Sequence, residues 1–230
     1  MKPFLIAHRL MWQNRWLFLL LMLWPYAMAA ILLLPGDKPD SADILSMLHQ
    51  ECFYGLALAA VTASTQLGNE QRSRRILLVL SKAVSRTEYL LAILLAAWLP
   101  LLLYVSGFVV SGIVLAHAVQ RPIDGVLMMA AMQIVLGLLA GVIGIFWSVI
   151  LPSIMATIAA SASLGLLFFA GQVKMPGPGQ LLAKLVSMRF SGAATENPIF
   201  DGVVTLLTAG AIFAAASWLF HRRDLNLTAD

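Results

Sequence analysis

The residues best suited to binding chemistry lie between Gly68 and Tyr89, where charged side chains crowd together in an otherwise apolar sequence. If residues 69–80 form a helix, Glu70 precedes Arg74 by four positions, which is the favourable order for a surface ion pair. The apolar residues of that helix share one face: Ile76, Leu77 and Leu80. Such a helix would rest on the membrane or on the ends of the spans, and its arginines would point to water or to a partner. Two interpretations then fit, an anchor for lipid phosphates and a docking surface for a soluble partner.

Motifs of common catalytic sites do not occur in the sequence. It has no Gly-x-x-x-x-Gly-Lys-Ser/Thr loop, no His-Glu-x-x-His pair and no Gly-x-Ser-x-Gly turn. The single cysteine, Cys52, excludes an intramolecular disulfide and a cysteine-rich metal site. We therefore expect that the chain is not an enzyme, and that it holds no cofactor or metal of its own.

Few ionisable residues interrupt the apolar runs, and Glu51 is the nearest to such a case. It either lines an outer vestibule or sits in the membrane interface beside solvent. A proton-coupled carrier needs a carboxylate deep in the membrane, so this composition argues against that class. A candidate pathway for an amphipathic cargo would be lined by Glu51, Thr62, Thr65, Gln133 and Ser161. The alternative for the neutral residues is hydrogen bonding between helices.

The composition indicates a membrane protein. Of 230 residues, 60% are hydrophobic and 11% are charged, whereas soluble domains carry about 25% charged residues. The apolar runs are continuous and rich in Leu and Ala, unlike the short alternating segments of a transmembrane β-barrel. The net charge of +4 is small for this length and gives no reason to expect nucleic-acid binding. The sequence predicts an all-α membrane protein.

The apolar runs predict six transmembrane spans in one domain, at about 16–34, 45–67, 89–116, 126–150, 153–171 and 202–220. Residues 1–14 predict an interfacial helix, residues 68–88 a loop with a short helix, and residues 174–201 an outer helical insert. The first run is long enough to span and contains Arg15 at its start, so we interpret it as a retained helix rather than a cleaved signal. Glycines in the fourth span predict close helix contacts there: Gly137, Gly141 and Gly144.

The distribution of basic residues predicts the orientation. Ten of the 15 Lys and Arg residues lie before the first span, in the 68–88 loop or after the last span. The five others lie in the segments on the opposite side. Because cytoplasmic segments carry the excess of basic residues, we expect both termini and the 68–88 loop in the cytoplasm.

The 68–88 loop resembles the cytoplasmic loop of the ABC-2 type transporter permeases. In that family an acidic residue follows the second span, and a Leu-Leu-x-x-Pro-x-Ser/Gly-Arg-like segment leads into the third. Here Glu70, the segment Leu77–Arg86 and the residues Glu88-Tyr89-Leu90-Leu91 stand in those places. The layout also resembles that of the family, and of the related permease-like subunit of cytochrome c maturation. The sequence departs from the family at Arg74-Arg75, where Gly-Thr is usual, and at Ala92-Ile93, where a Lys is often found.

The resemblance implies a half-transporter in the cytoplasmic (inner) membrane. A second copy or a sister permease would complete the pore, and separate ATPase subunits would bind ATP and Mg²⁺. Membrane lipid would be the other partner, and the cargo would be amphipathic, lipidic or otherwise hydrophobic. The resemblance also implies that the loop docks the ATPase and transmits its motion through Glu70, Arg72, Arg74, Arg75, Leu77, Leu80, Ser85, Arg86 and Glu88.

Two other functions remain open from the sequence. The chain could be a non-transporting membrane component of an ABC-type assembly system, which has the same sequence features. It could also be an intramembrane lipid-modifying enzyme, which would gather Asp, His or Ser near one membrane face. The 68–88 loop has no such pair of carboxylates, so we place this alternative last.

Overall fold

A computed structural model describes residues 2–13, 15–34, 40–72, 84–171, 173, 175–192 and 198–222. In this part of the chain the only regular secondary structure is helical. Its helices are α1 (Lys2–Gln13), α2 (Arg15–Leu33), α3 (Ser41–Arg72), α4 (Arg86–Ala118), α5 (Asp124–Ile150), α6 (Ser153–Ala170), α7 (Pro178–Ser187) and α8 (Pro198–Arg222).

Five of the described helices are long and apolar enough to cross a membrane: α3 over Ser41–Glu70, then α4, α5, α6 and α8. In α2 the side chains are described without interruption over Met22–Leu33, and this stretch is also apolar. The prediction of an all-α, multi-pass membrane protein is confirmed. Pro25 in α2 and Pro100 in α4 lie inside helices, which membrane helices tolerate because neighbouring groups satisfy the freed carbonyls.

Helix α5 lies at the centre of the bundle and packs against α3, α4, α6, α7 and α8. A close approach to α3 occurs at Gly144. A Cβ atom at this position would lie 2.5 Å from the carbonyl oxygen of Ala60 and 3.1 Å from the Cβ of Ala63. The two backbones can meet here only because Gly144 has no side chain, as the sequence predicted.

The bundle has two ends, which we name after a residue at each. At the Arg86 end, α3 ends, α4 begins and α8 ends. At the Asp201 end, α3 and α8 begin, and α7 packs against α5, α6 and α8. Helix α1 packs against α4, and its Ala7 and Leu10 are buried. Residues 174–201, predicted as an insert, contain α7 and the start of α8.

The 68–88 loop is shorter than predicted in the described residues. Residues 68–72 continue α3, and residues 86–88 already belong to α4. A capping box fixes the start of α4: the Glu88 amide donates to Ser85 Oγ over 3.1 Å, and the Ser85 amide donates to Glu88 Oε2 over 2.8 Å. The predicted helix over 69–80 falls largely on residues 73–83, which lie outside the described residues.

Candidate functional site

Arg86 joins the first turn of α4 to the last turn of α8. Its Nη1 donates hydrogen bonds to the carbonyl oxygens of Phe220, over 2.8 Å, and His221, over 2.9 Å. Its Cζ also lies 5.9 Å from the centroid of the Phe220 ring. The last carbonyls of a helix have no intrahelical partner and carry partial negative charge. The guanidinium therefore satisfies these oxygens and complements the dipole of α8.

Neighbouring residues strengthen this junction. The hydroxyl oxygens of Thr87 and Ser217 are 2.9 Å apart, which gives a third hydrogen bond between α4 and α8. In the same last turn, the Arg222 guanidinium lies 3.9 Å from the ring centroid of Trp218, a distance suited to a cation–π contact. Of the predicted docking residues, Ser85, Arg86 and Glu88 are thus all engaged at the start of α4.

Glu70 lies near the end of α3 and is buried, with 7% of its surface exposed. It lies close to Tyr89 of α4, and Gln66 precedes it by one helical turn. The Tyr89 hydroxyl and the Gln66 amide are buried, and no described residue donates to them or accepts from them. These three residues form a buried polar group where α3 ends beside the start of α4.

The side chains of the remaining predicted docking residues lie outside the described part of the chain. Arg72 ends α3, but its side chain is outside the described residues. Arg74, Arg75, Leu77 and Leu80 also lie outside them.

The predicted pathway residues Glu51 and Gln133 meet in the bundle core, where Glu51 is 1% exposed and Gln133 is 0% exposed. The Tyr104 hydroxyl donates to Glu51 Oε2, and it lies 3.0 Å from the Glu51 carbonyl oxygen. Gln133 Nε2 donates over 3.4 Å to the carbonyls of both Glu51 and Cys52. Helices α3, α4 and α5 are therefore joined by one polar cluster.

The indole nitrogen of Trp24, on α2, lies close to the Glu51 carboxyl, although it does not complete a hydrogen bond with it. Sequence reasoning missed both Trp24 and Tyr104. A buried tyrosine hydroxyl needs a hydrogen-bond partner, so a tyrosine in the middle of the third span was a usable signal. Which partner it finds depends on helix packing.

The other three predicted pathway residues do not join this cluster. Thr62 is buried, Thr65 donates to the Val61 carbonyl of its own helix over 2.7 Å, and Ser161 is exposed on α6. Ser161 lines a groove of about 430 Å³ between α3, α5 and α6.

Two apolar grooves flank α6. One is the groove of about 430 Å³ that Ser161 lines. The other, of about 570 Å³, lies between α5, α6 and α8. Leu139 and Leu167 line both grooves. Within the second groove, the Trp147 indole donates to Ser163 Oγ over 2.9 Å. Grooves of this size and lining suit an acyl chain or a comparable apolar molecule.

The Asp201 end is closed by a second set of polar contacts. Lys184 Nζ of α7 lies 2.6 Å from Asp201 Oδ2 of α8, and the Gly177 amide donates to Asp201 Oδ1 over 3.0 Å. His49 Nε2 is 3.1 Å from the Met188 carbonyl oxygen, so α3 is also held to the segment after α7.

No metal site is apparent in the described residues, since they contain no group of three His, Cys, Asp or Glu side chains able to hold an ion. Comparisons of the whole sequence with protein-family models and with curated proteins found no match.

Proposed function

We propose that this chain is the transmembrane permease subunit of an ATP-binding-cassette exporter. It moves an amphipathic, lipidic or other hydrophobic cargo across or out of the cytoplasmic membrane, and a separate subunit hydrolyses ATP. The observation that best supports this function is the junction of Arg86 with the last turn of α8. The proposal includes the ABC-2 type layout of six spans, with both termini and the 68–88 loop in the cytoplasm.

The junction supports a coupling role because it joins two spans to one basic segment. Arg86 directly follows the segment that the resemblance assigns to ATPase docking. A displacement of that segment acts on α4 through the chain and on α8 through Arg86 and Thr87. Helix α8 packs on α5, the central helix. The motion of a docked ATPase therefore has a short route into the bundle.

The grooves beside α6 support the class of cargo. Both are apolar, and each is bordered by α5 and α6 together with one further span. A rearrangement of these helices would open or close both grooves, because Leu139 and Leu167 belong to both. A second copy or a sister permease completes the transporter in this proposal.

The first experiment asks whether an ATPase accompanies the chain. The full-length protein is purified by affinity from its native membrane in mild detergent, and its companions are identified by mass spectrometry. We expect a subunit with a Walker A motif and measurable ATP turnover. A complex with neither of these contradicts the proposal.

The second experiment tests the coupling role of the Arg86 end. The complex is reconstituted in vesicles, and ATP-dependent movement of a fluorescent short-chain phospholipid is measured alongside ATP turnover. We expect Arg86→Ala and Glu70→Ala to insert normally and keep ATP turnover but lose transport. Arg121→Ala, which removes an exposed arginine between α4 and α5, is the matched control. Normal coupling in both variants would remove the transmission role of this end.

A further inference from the structure

The Glu51 carboxyl has an unusual setting for a charged group. It is buried in the bundle core, about 15 Å along α3 from its first residue at 1.5 Å per residue. Tyr104 donates to Oε2, whereas Oε1 is buried and has no hydrogen-bond partner in the described part of the chain. The structure therefore satisfies only one of the two carboxyl oxygens.

No cation compensates Glu51 among the described side chains. The one salt bridge found there joins Lys184 to Asp201, at the end of the bundle. An ionised carboxylate inside a membrane bundle is very costly without a paired charge. One hydrogen bond from a neutral phenol does not offset that cost, whereas a proton on the free oxygen removes the charge.

The groups around Glu51 are neutral or titratable, and a bound proton is the ligand compatible with them. Tyr104 faces it from α4, Gln133 from α5 and Trp24 from α2. On α3 itself the nearest titratable residues are His49, which contacts Met188, and Cys52 and Tyr54. None of these groups carries a fixed positive charge.

A larger cation fits the cluster less well than a proton. A Cβ atom at Gly55 would overlap the Gln133 amide, so α3 and α5 are in direct contact beside the cluster. Neither groove described above is lined by Glu51 or Tyr104. A metal ion would in addition need several oxygen ligands, and Glu51 is the only carboxylate in the cluster.

We propose that Glu51 is a proton-binding site in the core of the bundle, and that it carries its proton in this arrangement of α2, α3, α4 and α5. Loss of the proton would leave an uncompensated charge between four helices, so the packed arrangement and the protonated carboxyl stabilise each other. The site would make the bundle responsive to protons at a point remote from the Arg86 end. This property is independent of ATP-driven export.

Infrared spectroscopy of the full-length protein in lipid nanodiscs tests the proposal directly. A protonated carboxyl and an ionised carboxylate absorb in separate regions, and the difference between wild type and Glu51→Gln isolates the signal of Glu51. We expect a protonated-carboxyl band at neutral pH that Glu51→Gln abolishes. Tyr104→Phe should keep the band and shift it, because the hydrogen bond to Oε2 is lost. A difference signal in the carboxylate region at neutral pH would overturn the proposal.

The control and a second measurement guard against misfolded variants. Asp43→Asn removes an exposed carboxylate from the first turn of the same helix and should change only the carboxylate region. Wild-type protein is also treated with a hydrophobic carbodiimide, which adds to protonated carboxyls in apolar surroundings. Mass spectrometry should find the adduct on Glu51 and not on Asp43. Adducts on Asp43 with none on Glu51 would count against the proton site, even if the Glu51→Gln variant does not fold.

Discussion

Arg86 and Phe220 contact each other twice. The guanidinium donates to the Phe220 carbonyl oxygen over 2.8 Å, and its Cζ lies 5.9 Å from the centroid of the buried Phe220 ring. These residues are 134 positions apart, so the first turn of α4 and the last turn of α8 are fixed to each other only in the folded bundle. This contact makes the Arg86 end a mechanical unit rather than a set of separate helix ends.

Replacing Arg86 should weaken the folded state. Arg86→Ala leaves two carbonyl oxygens at the end of α8 without their donor, and we expect the free energy of unfolding to fall by about 1–3 kcal/mol. Arg86→Lys should lose less, because it keeps a positive charge near the C-terminus of α8. Denaturant unfolding in detergent, followed by circular dichroism, measures both. Arg121→Ala, at an exposed position, should leave stability unchanged; an equal loss in Arg121→Ala and Arg86→Ala would contradict this account.

The ion pair between Lys184 and Asp201 should be costly to break on one side. Asp201 is 4% exposed and accepts from both Lys184 Nζ and the Gly177 amide. Removing one partner leaves a buried charge uncompensated, so we expect Lys184→Met to cost about 3–5 kcal/mol. Thermal unfolding of the purified protein gives the measurement.

A double variant separates the pair from its surroundings. Lys184→Met combined with Asp201→Asn removes both charges, and it should be more stable than Lys184→Met alone. Asp124→Asn is the matched control, since Asp124 also lies in the first turn of a helix but is exposed. Additive losses in the double variant would show that the two charges do not stabilise each other.

The sequence was sufficient to predict the helical membrane class, because long apolar runs have few other stable structures. Helix boundaries were less certain. Hydropathy placed the start of the third span at Tyr89, whereas α4 begins at Arg86. The missing information was in the sequence, because Ser85 and Glu88 have capping-box spacing. Polar helix ends are therefore better located by caps than by hydropathy.

The surroundings of Glu51 could not be predicted in the same way. Its nearest polar partners are Tyr104 and Gln133, 53 and 82 positions away, and only the packing of α3 on α4 and α5 brings them together. Sequence reasoning weighed a vestibule against an exposed interface, and the structure buries the side chain instead. A pattern along one helix shows which face is polar, but it does not show which residues of other helices contact that face.

The contact between α3 and α5 at Gly144 should not tolerate a side chain. Gly144→Val would place atoms against the Ala60 carbonyl, and we expect a loss of about 1–3 kcal/mol from overpacking. Gly165→Val, on α6, is the control, since a Cβ there has no atom within 4 Å. Unfolding of both variants in the same detergent distinguishes packing from the general effect of replacing glycine. Similar losses at the two sites would contradict the close approach.

The hydrogen bond between Ser64 and Thr157 joins α3 to α6 inside the bundle, with 2.8 Å between the hydroxyl oxygens. Each hydroxyl also lies within hydrogen-bonding distance of a carbonyl of its own helix, at Val61 and Ser153 respectively. Because each hydroxyl has one proton, the one that donates to the other helix gives up the bond to its own carbonyl. Ser64→Ala, Thr157→Val and the double variant form a mutant cycle, and we expect a coupling energy of about 0.6 kcal/mol, typical of membrane helices. A value near zero would mean that the two hydroxyls are held by their own helices. In that case α6, which buries few of its residues, depends on apolar packing alone to stay against α3.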